Sequence, residues 1–261
     1  MNTIRTHDVD IRRDMSSLVI NIIKMYTQFS SCYNTESWCF MNIPYSALKA
    51  YLKHVYFING SAYAGKSTVC KALAEKYHMI HCEENYQFDT FLSMTTPESH
   101  PNMNYFKTMK NWEAFVSRSK ETYEAWMEGV SYEMAPFEIL ELISLSKNQN
   151  VIVDTNIPHD ILKKIADKER VLYMVATPEI AMEEFFNRQD PDKQFLLSVI
   201  DHMKDPIAAL AHYKEIIAYV NRQEKIDQFK QCGFYIIERH TFDDAIEEKI
   251  RLAEKHFKLG F

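Results

Sequence analysis

Between Gly60 and Ser67 the chain reads Gly-Ser-Ala-Tyr-Ala-Gly-Lys-Ser, a match to the pattern G-x-x-x-x-G-K-[ST]. Each fixed position in that spacing has a physical task. Gly60 lets the chain leave a strand through backbone angles that a side chain forbids. Gly65 lets the main chain come close to bound oxygen atoms, so that N–H groups along Ser61, Ala62, Tyr63, Ala64, Gly65, Lys66, Ser67 and Thr68 can face a polyanion. Lys66 brings a long, mobile cation, and the Ser67 hydroxyl is a hard oxygen suited to Mg²⁺. A helix starting near Lys66 would add the positive end of its dipole at the same spot. Only 5 of the 261 residues are glycine, where an average chain has about 7%. Two of them in one eight-residue window call for a backbone reason.

Further polar residues could complete such a site. Asp154 closes the apolar run Val151-Ile152-Val153 and could hold Mg²⁺ directly or through water; the plainer reading is a carboxylate that caps a turn. Glu83 and Glu84, with Asp89 a little further on, could accept a hydroxyl proton as general base, or could simply be solvated loop residues. Arg188, with Lys193 behind it, could close on phosphates and exclude water, or complement a helix C-terminus. His81 reads as a buried histidine, Cys70 and Cys82 as buried thiols. The run from Asp243 to Lys249 reads as a solvated helix face.

These residues need elements to position them. Residues 55–58 form a β-branched and aromatic run without polar alternation, as in a strand buried on both faces of a parallel sheet. Four more candidates follow at 79–82, 151–154, 171–175 and 234–237, separated by helical patterns at 67–77, 161–168, 179–188, 208–229 and 243–256. Strands alternating with helices predict an α/β fold with an open parallel five-stranded sheet. A strand leading into the Gly60 loop and an amphipathic segment leading out make a nucleoside-triphosphate site the reading of that motif. The interval 83–150 breaks the rhythm with many aromatics and helical periodicity at 111–126 and 132–145, which predicts a helical insertion over the carboxyl ends of the strands. Before the sheet, residues 1–53 read as a helical extension, with an apolar stripe from Met15 to Phe29 and a short helix after Pro44.

Composition narrows the function classes. Hydrophobic residues make up 46% and charged residues 25%, which excludes wholesale disorder. No apolar run approaches about 18 residues, so a spanning helix is not expected, and residues 1–14 are too charged to read as a secretory leader. A net charge of −6 does not favour nucleic acid or an anionic membrane as partner. Five cysteines without a C-x-x-C pair argue against a disulfide framework or zinc site and point to a reducing cytoplasm.

From about Val55 to its C-terminus the chain resembles the small-molecule kinases of the P-loop NTPase superfamily, the nucleotide and shikimate kinases among them. The likeness rests on three features: the glycine loop after the first sheet strand, a helical insertion after the second, and the run Val171-Leu172-Tyr173-Met174-Val175-Ala176-Thr177-Pro178 leading into a helix, as these kinases lead into their lid. The resemblance implies a three-layer P-loop fold over 54–261, an acceptor-binding insertion at 83–150 and a lid at 188–205. It implies ATP and Mg²⁺ as cofactors, transfer of the γ-phosphate to a hydroxyl or phosphate of a small molecule, and an acidic residue after the second strand, Glu84 or Asp89, at the acceptor. Tyr63 stands where many of these kinases have another glycine. The D-G-x-P-R ending of adenylate-kinase relatives is missing after Asp154, and a lid with Arg188 as its one arginine argues against a nucleoside monophosphate as acceptor. The alternatives are a nucleotide-binding regulatory ATPase module and a kinase of polynucleotide ends. Oligomeric state is left open.

Overall fold

In this computed structural model the described residues are 43–187, 191–242 and 245–260. The chain divides into two units, Met1–Asn42 and Ile43–Phe261; the stripe from Met15 to Phe29 and Arg188 lie outside the described residues. The second unit starts before the expected boundary at residue 54. Helix α1 (Tyr45–Tyr51) follows Pro44, buries Leu48, and ties Lys49 to Asp167 at 2.7 Å.

Five strands form one parallel sheet: β1 (Val55–Gly60), β2 (Ile80–Cys82), β3 (Val151–Asp154), β4 (Val171–Ala176) and β5 (Tyr235–Arg239), in the spatial order β2-β3-β1-β4-β5. The helices are α2 (Lys66–Tyr77), α3 (Phe88–Ser93), α4 (Tyr105–Thr108), α5 (Trp112–Val116), α6 (Lys120–Leu145), α7 (His159–Ile165), α8 (Pro178–Asn187), α9 (Pro191–Asp201), α10 (Pro206–Val220), α11 (Gln223–Gln231) and α12 (Ile246–Phe257).

Central strands buried on both faces need helices on both sides, and the apolar runs supply both halves. On one face Tyr56, Ile58, Ile152, Leu172, Met174 and Ile237 pack against Val69, Cys70 and Leu73 of α2 and Ala253 and Phe257 of α12. Tyr173 points the other way and stacks on Phe234 with ring centroids 5.5 Å apart, with Phe229 of α11 beside it at 5.7 Å. Helices therefore cover both faces of the sheet.

Two helix expectations need correction. Residues 111–126 do not form one helix: α5 ends at Val116, and α6 restarts when the Ser119 hydroxyl accepts the Thr122 N–H at 3.1 Å. From there α6 runs unbroken through the expected gap and through Pro136 to Leu145. The expected 208–229 helix is also two. Asn221 ends α10 and Arg222 is extended (φ −64°, ψ 158°). The break is needed because α10 buries Tyr213, Ile216 and Ile217 in the insertion core, whereas α11 buries Ile226 and sets Phe229 against β4.

Candidate functional site

Where β1 ends, Gly60 has φ +131°, and a Cβ there would stand 1.8 Å from the Met174 carbonyl oxygen. The neighbouring strand leaves no room for any side chain. Past it, the Ser61 N–H still pairs with the Met174 carbonyl at 3.0 Å, while the Ser61 hydroxyl accepts the Ala176 N–H at 2.8 Å. The Asn59 side chain accepts the Gly60 N–H at 2.6 Å and donates to the Ile157 carbonyl at 2.8 Å, bracing the bend from the β3 side. Tyr63 (φ 60°) and Gly65 (φ 95°) then turn the chain through left-handed geometry into α2. Arg239, at the end of β5, donates to the Tyr63 carbonyl at 2.8 Å, to Glu184 at 3.1 Å and to the Phe242 carbonyl at 3.2 Å. The loop is thus held from three strands. The first-turn N–H groups of α2 have no intrahelical acceptor and lie at the positive end of its dipole.

Lys66 is buried, and its Nζ donates to the Ser61 carbonyl at 3.2 Å, curling under the loop. It also lies 3.8 Å from Oδ1 of Asp154. Asp154 accepts the Ser67 hydroxyl at 2.7 Å through Oδ2, and its buried Oδ1 has no hydrogen bond among the described residues. Burial raises the Asp154 pKa; Lys66 and the Ser67 hydroxyl oppose that shift, while Glu84 adds to it. Two hard oxygens, one of them unsatisfied, face a buried cation. Such an arrangement can hold a divalent metal ion beside an anion.

Topology puts this cluster at a reversal. From β1 the chain crosses to β2 on one side of the sheet; from β3, the neighbour of β1, it crosses to β4 on the other. The carboxyl ends of strands at such a switch point diverge and leave a crevice, the usual ligand position in open α/β sheets.

Among the other expected residues, Glu84 is exposed but joins the group: it accepts from Asn156 at 2.8 Å and acts on Asp154 electrostatically. Asp89 sits exposed in the first turn of α3, without a hydrogen bond or ion pair to Lys66, Ser67 or Asp154 among the described residues. Ala62 and Thr68 are exposed and Ala64 is buried. Lys193 lies 5.4 Å over the Tyr63 ring. Of the 188–205 segment, α9 packs Ile200 into the insertion core.

Three participants escaped the sequence reading. Asn59 and Arg239 are single polar residues at strand ends. Glu138 is a carboxylate on the buried face of α6, between the apolar positions Met134, Ile139 and Leu142, and a charge in such a stripe is the signal that could have found it. It lies beneath the carboxyl end of β3 beside the Thr155 hydroxyl, with Oε1 unbonded among the described residues. Burial, reinforced by Asp154 and Glu84, pushes its pKa up to about 8.

No family model matches the chain, and no curated protein matches it in sequence. Among solved structures it is similar to an uncharacterized protein from Eubacterium ventriosum (11% identity, TM-score 0.35, covering 78% of this chain and 97% of that one). It is also similar to a provisionally assigned kinase from Chloroflexus aurantiacus (12% identity, TM-score 0.37, covering 78% and 98%). At those scores neither likeness bears on what this chain does.

Proposed function

We propose that the protein is an ATP- and Mg²⁺-dependent phosphotransferase that moves the γ-phosphate to a hydroxyl or phosphate of a small molecule. The observation that carries this reading is the Lys66–Ser67–Asp154 cluster under a glycine loop at the sheet's switch point. The main-chain amides from Ala62 to Thr68 and the start of α2 cradle the triphosphate, the Ser61 N–H being taken by the Met174 carbonyl, and Lys66 reaches its outer phosphates. Ser67 and Asp154 fit Mg²⁺, because both present hard oxygens and Oδ1 of Asp154 accepts no hydrogen bond among the described residues. Held there by Ser67 and Asp154, Mg²⁺ would supply positive charge against the charge that grows on the phosphate oxygens.

The remaining work falls to the chain itself. Phosphoryl transfer gives the protein little covalent chemistry, so rate comes from positioning and from fixed charge. Glu84 lies beside Asp154 and can take the acceptor's hydroxyl proton, with Asn156 fixing its direction. Glu138, which burial keeps protonated at neutral pH, avoids a third negative charge where phosphates must gather.

Calorimetric titration of Mg-ATP into the full chain, with Lys66→Ala beside it, tests the reading. Saturable heat from the parent and none from the variant is the expected result. A parent protein that binds no purine triphosphate overturns the assignment.

A further inference from the structure

Arg118, in the turn between α5 and α6, lies in a box of aromatic rings. Its guanidinium carbon is 4.3 Å from the centroids of Tyr105 and Phe115, 4.8 Å from Trp126 and 5.3 Å from Tyr123. The ring faces stabilise the cation, and Nε donates to the Phe115 carbonyl at 3.3 Å. The terminal nitrogens are different: both are buried, and neither donates a hydrogen bond among the described residues. Among the described residues no ion pair to Arg118 is seen, and the side chains that act on it electrostatically are the phenols of Tyr105, Tyr123 and Tyr213. Burial lowers the Arg118 pKa from its ordinary value, although a guanidinium stays charged at any physiological pH. A planar fork of donors, permanently charged and with both terminal nitrogens unbonded among the described residues, is complementary to an oxyanion that takes two parallel hydrogen bonds.

A run of packed side chains joins the box to the glycine loop. Tyr123 packs edge-on to Tyr213 with centroids 6.3 Å apart, Tyr213 packs on Phe185 at 6.0 Å, and Lys193 lies over both the Phe185 ring at 5.7 Å and the Tyr63 ring at 5.4 Å. In a chain with net charge −6, a negative ligand needs such a local cation.

We infer that Arg118 holds the acid group of the phosphoryl acceptor, a carboxylate or a phosphate, while the acceptor's hydroxyl faces the loop. This rests on the phosphotransferase reading; the anion site itself can be tested apart from it. The terminal nitrogens are closed to solvent, so an anion reaches them only by parting the rings, and Trp126 reports that movement.

The experiment uses the full chain in a Lys66→Ala background, which disables the glycine loop as an anion site. Inorganic phosphate and, separately, acetate are titrated against sodium chloride of equal ionic strength, with tryptophan fluorescence as readout. The expected result is a saturable change with one or both probes that weakens at least tenfold on adding Arg118→Met. Arg118→Lys, which keeps the charge and loses the fork, is the second variant should the methionine form not fold, and it too should bind at least several-fold more weakly. A response to phosphate alone assigns a phosphorylated acceptor, and one to acetate alone a carboxylic acid. No response above chloride, or equal affinity with and without Arg118, overturns the inference. Mg-ATP binding to the parent is measured alongside: its failure removes the phosphotransferase reading and leaves the anion result standing on its own.

Discussion

Asp154 can be tested without breaking the fold, because asparagine preserves the bond from Ser67 and removes only the charge. Asp154→Asn should lower phosphotransfer on the order of a hundredfold, the scale for losing one preorganised electrostatic group, with unfolding temperature nearly unchanged in a thermal melt. Gly60 admits no such gentle test. Its missing Cβ would collide with main chain of β4, so Gly60→Ala should cost on the order of 3–5 kcal/mol and show as loss of soluble folded protein. Glu138 gives a prediction in pH. Its folded pKa, about 8, lies above its ordinary 4.5, so between those values the folded state binds more protons than the unfolded one. Stability of the ligand-free protein should therefore fall as pH rises from about 4.5 to about 8 and level off above, by a few kcal/mol at about 1.4 kcal/mol per unit. Glu138→Gln should flatten that slope in denaturant titrations; a slope unchanged by the substitution excludes Glu138 as its source.

At the scale of elements, α6 carries a counterintuitive prediction. A glycine inside a helix normally costs about 1 kcal/mol relative to alanine, so Gly129→Ala should stabilise an isolated helix. Here a Cβ would come within 2.4 Å of the Asn102 side chain. Glu133 pins that side chain at 2.6 Å, and the Trp126 indole donates to the Asn102 carbonyl at 3.1 Å. Gly129→Ala should therefore destabilise, by about 1–3 kcal/mol, measured as a lower denaturant midpoint. The same local detail explains what could be read from sequence. β1, β3 and β4 were legible because strands buried on both faces leave continuous apolar runs. The edge strands blur by a residue or two, since solvent tolerates polar residues such as His81 and Glu238 there. The break at Asn221 was not legible, because no glycine or proline marks it; two different cores pull the chain apart at that point. The glycine loop and Asp154 stood out by spacing, whereas Arg118 and Glu138 became visible only once burial showed what their polar atoms lack.

For the whole molecule, the phosphotransferase reading couples ligand to stability. A triphosphate bound only by the folded state at a hundred times its dissociation constant adds about 2.7 kcal/mol. Saturating Mg-ATP should thus raise the unfolding temperature of the parent by several degrees and leave Lys66→Ala unmoved, as read by calorimetric scanning. With net charge −6, oligonucleotides should produce no comparable shift at physiological salt. The bond from Arg239 to the Tyr63 carbonyl spans 176 positions of sequence, and that span matters during synthesis. A ribosome that has released residues 55–77 has made every amide of the ligand cradle, yet the guanidinium that fixes its outermost bend is still untranslated. On the phosphotransferase reading, nucleotide therefore cannot template that early segment of the nascent chain; it meets a finished cradle only once Arg239 has been added.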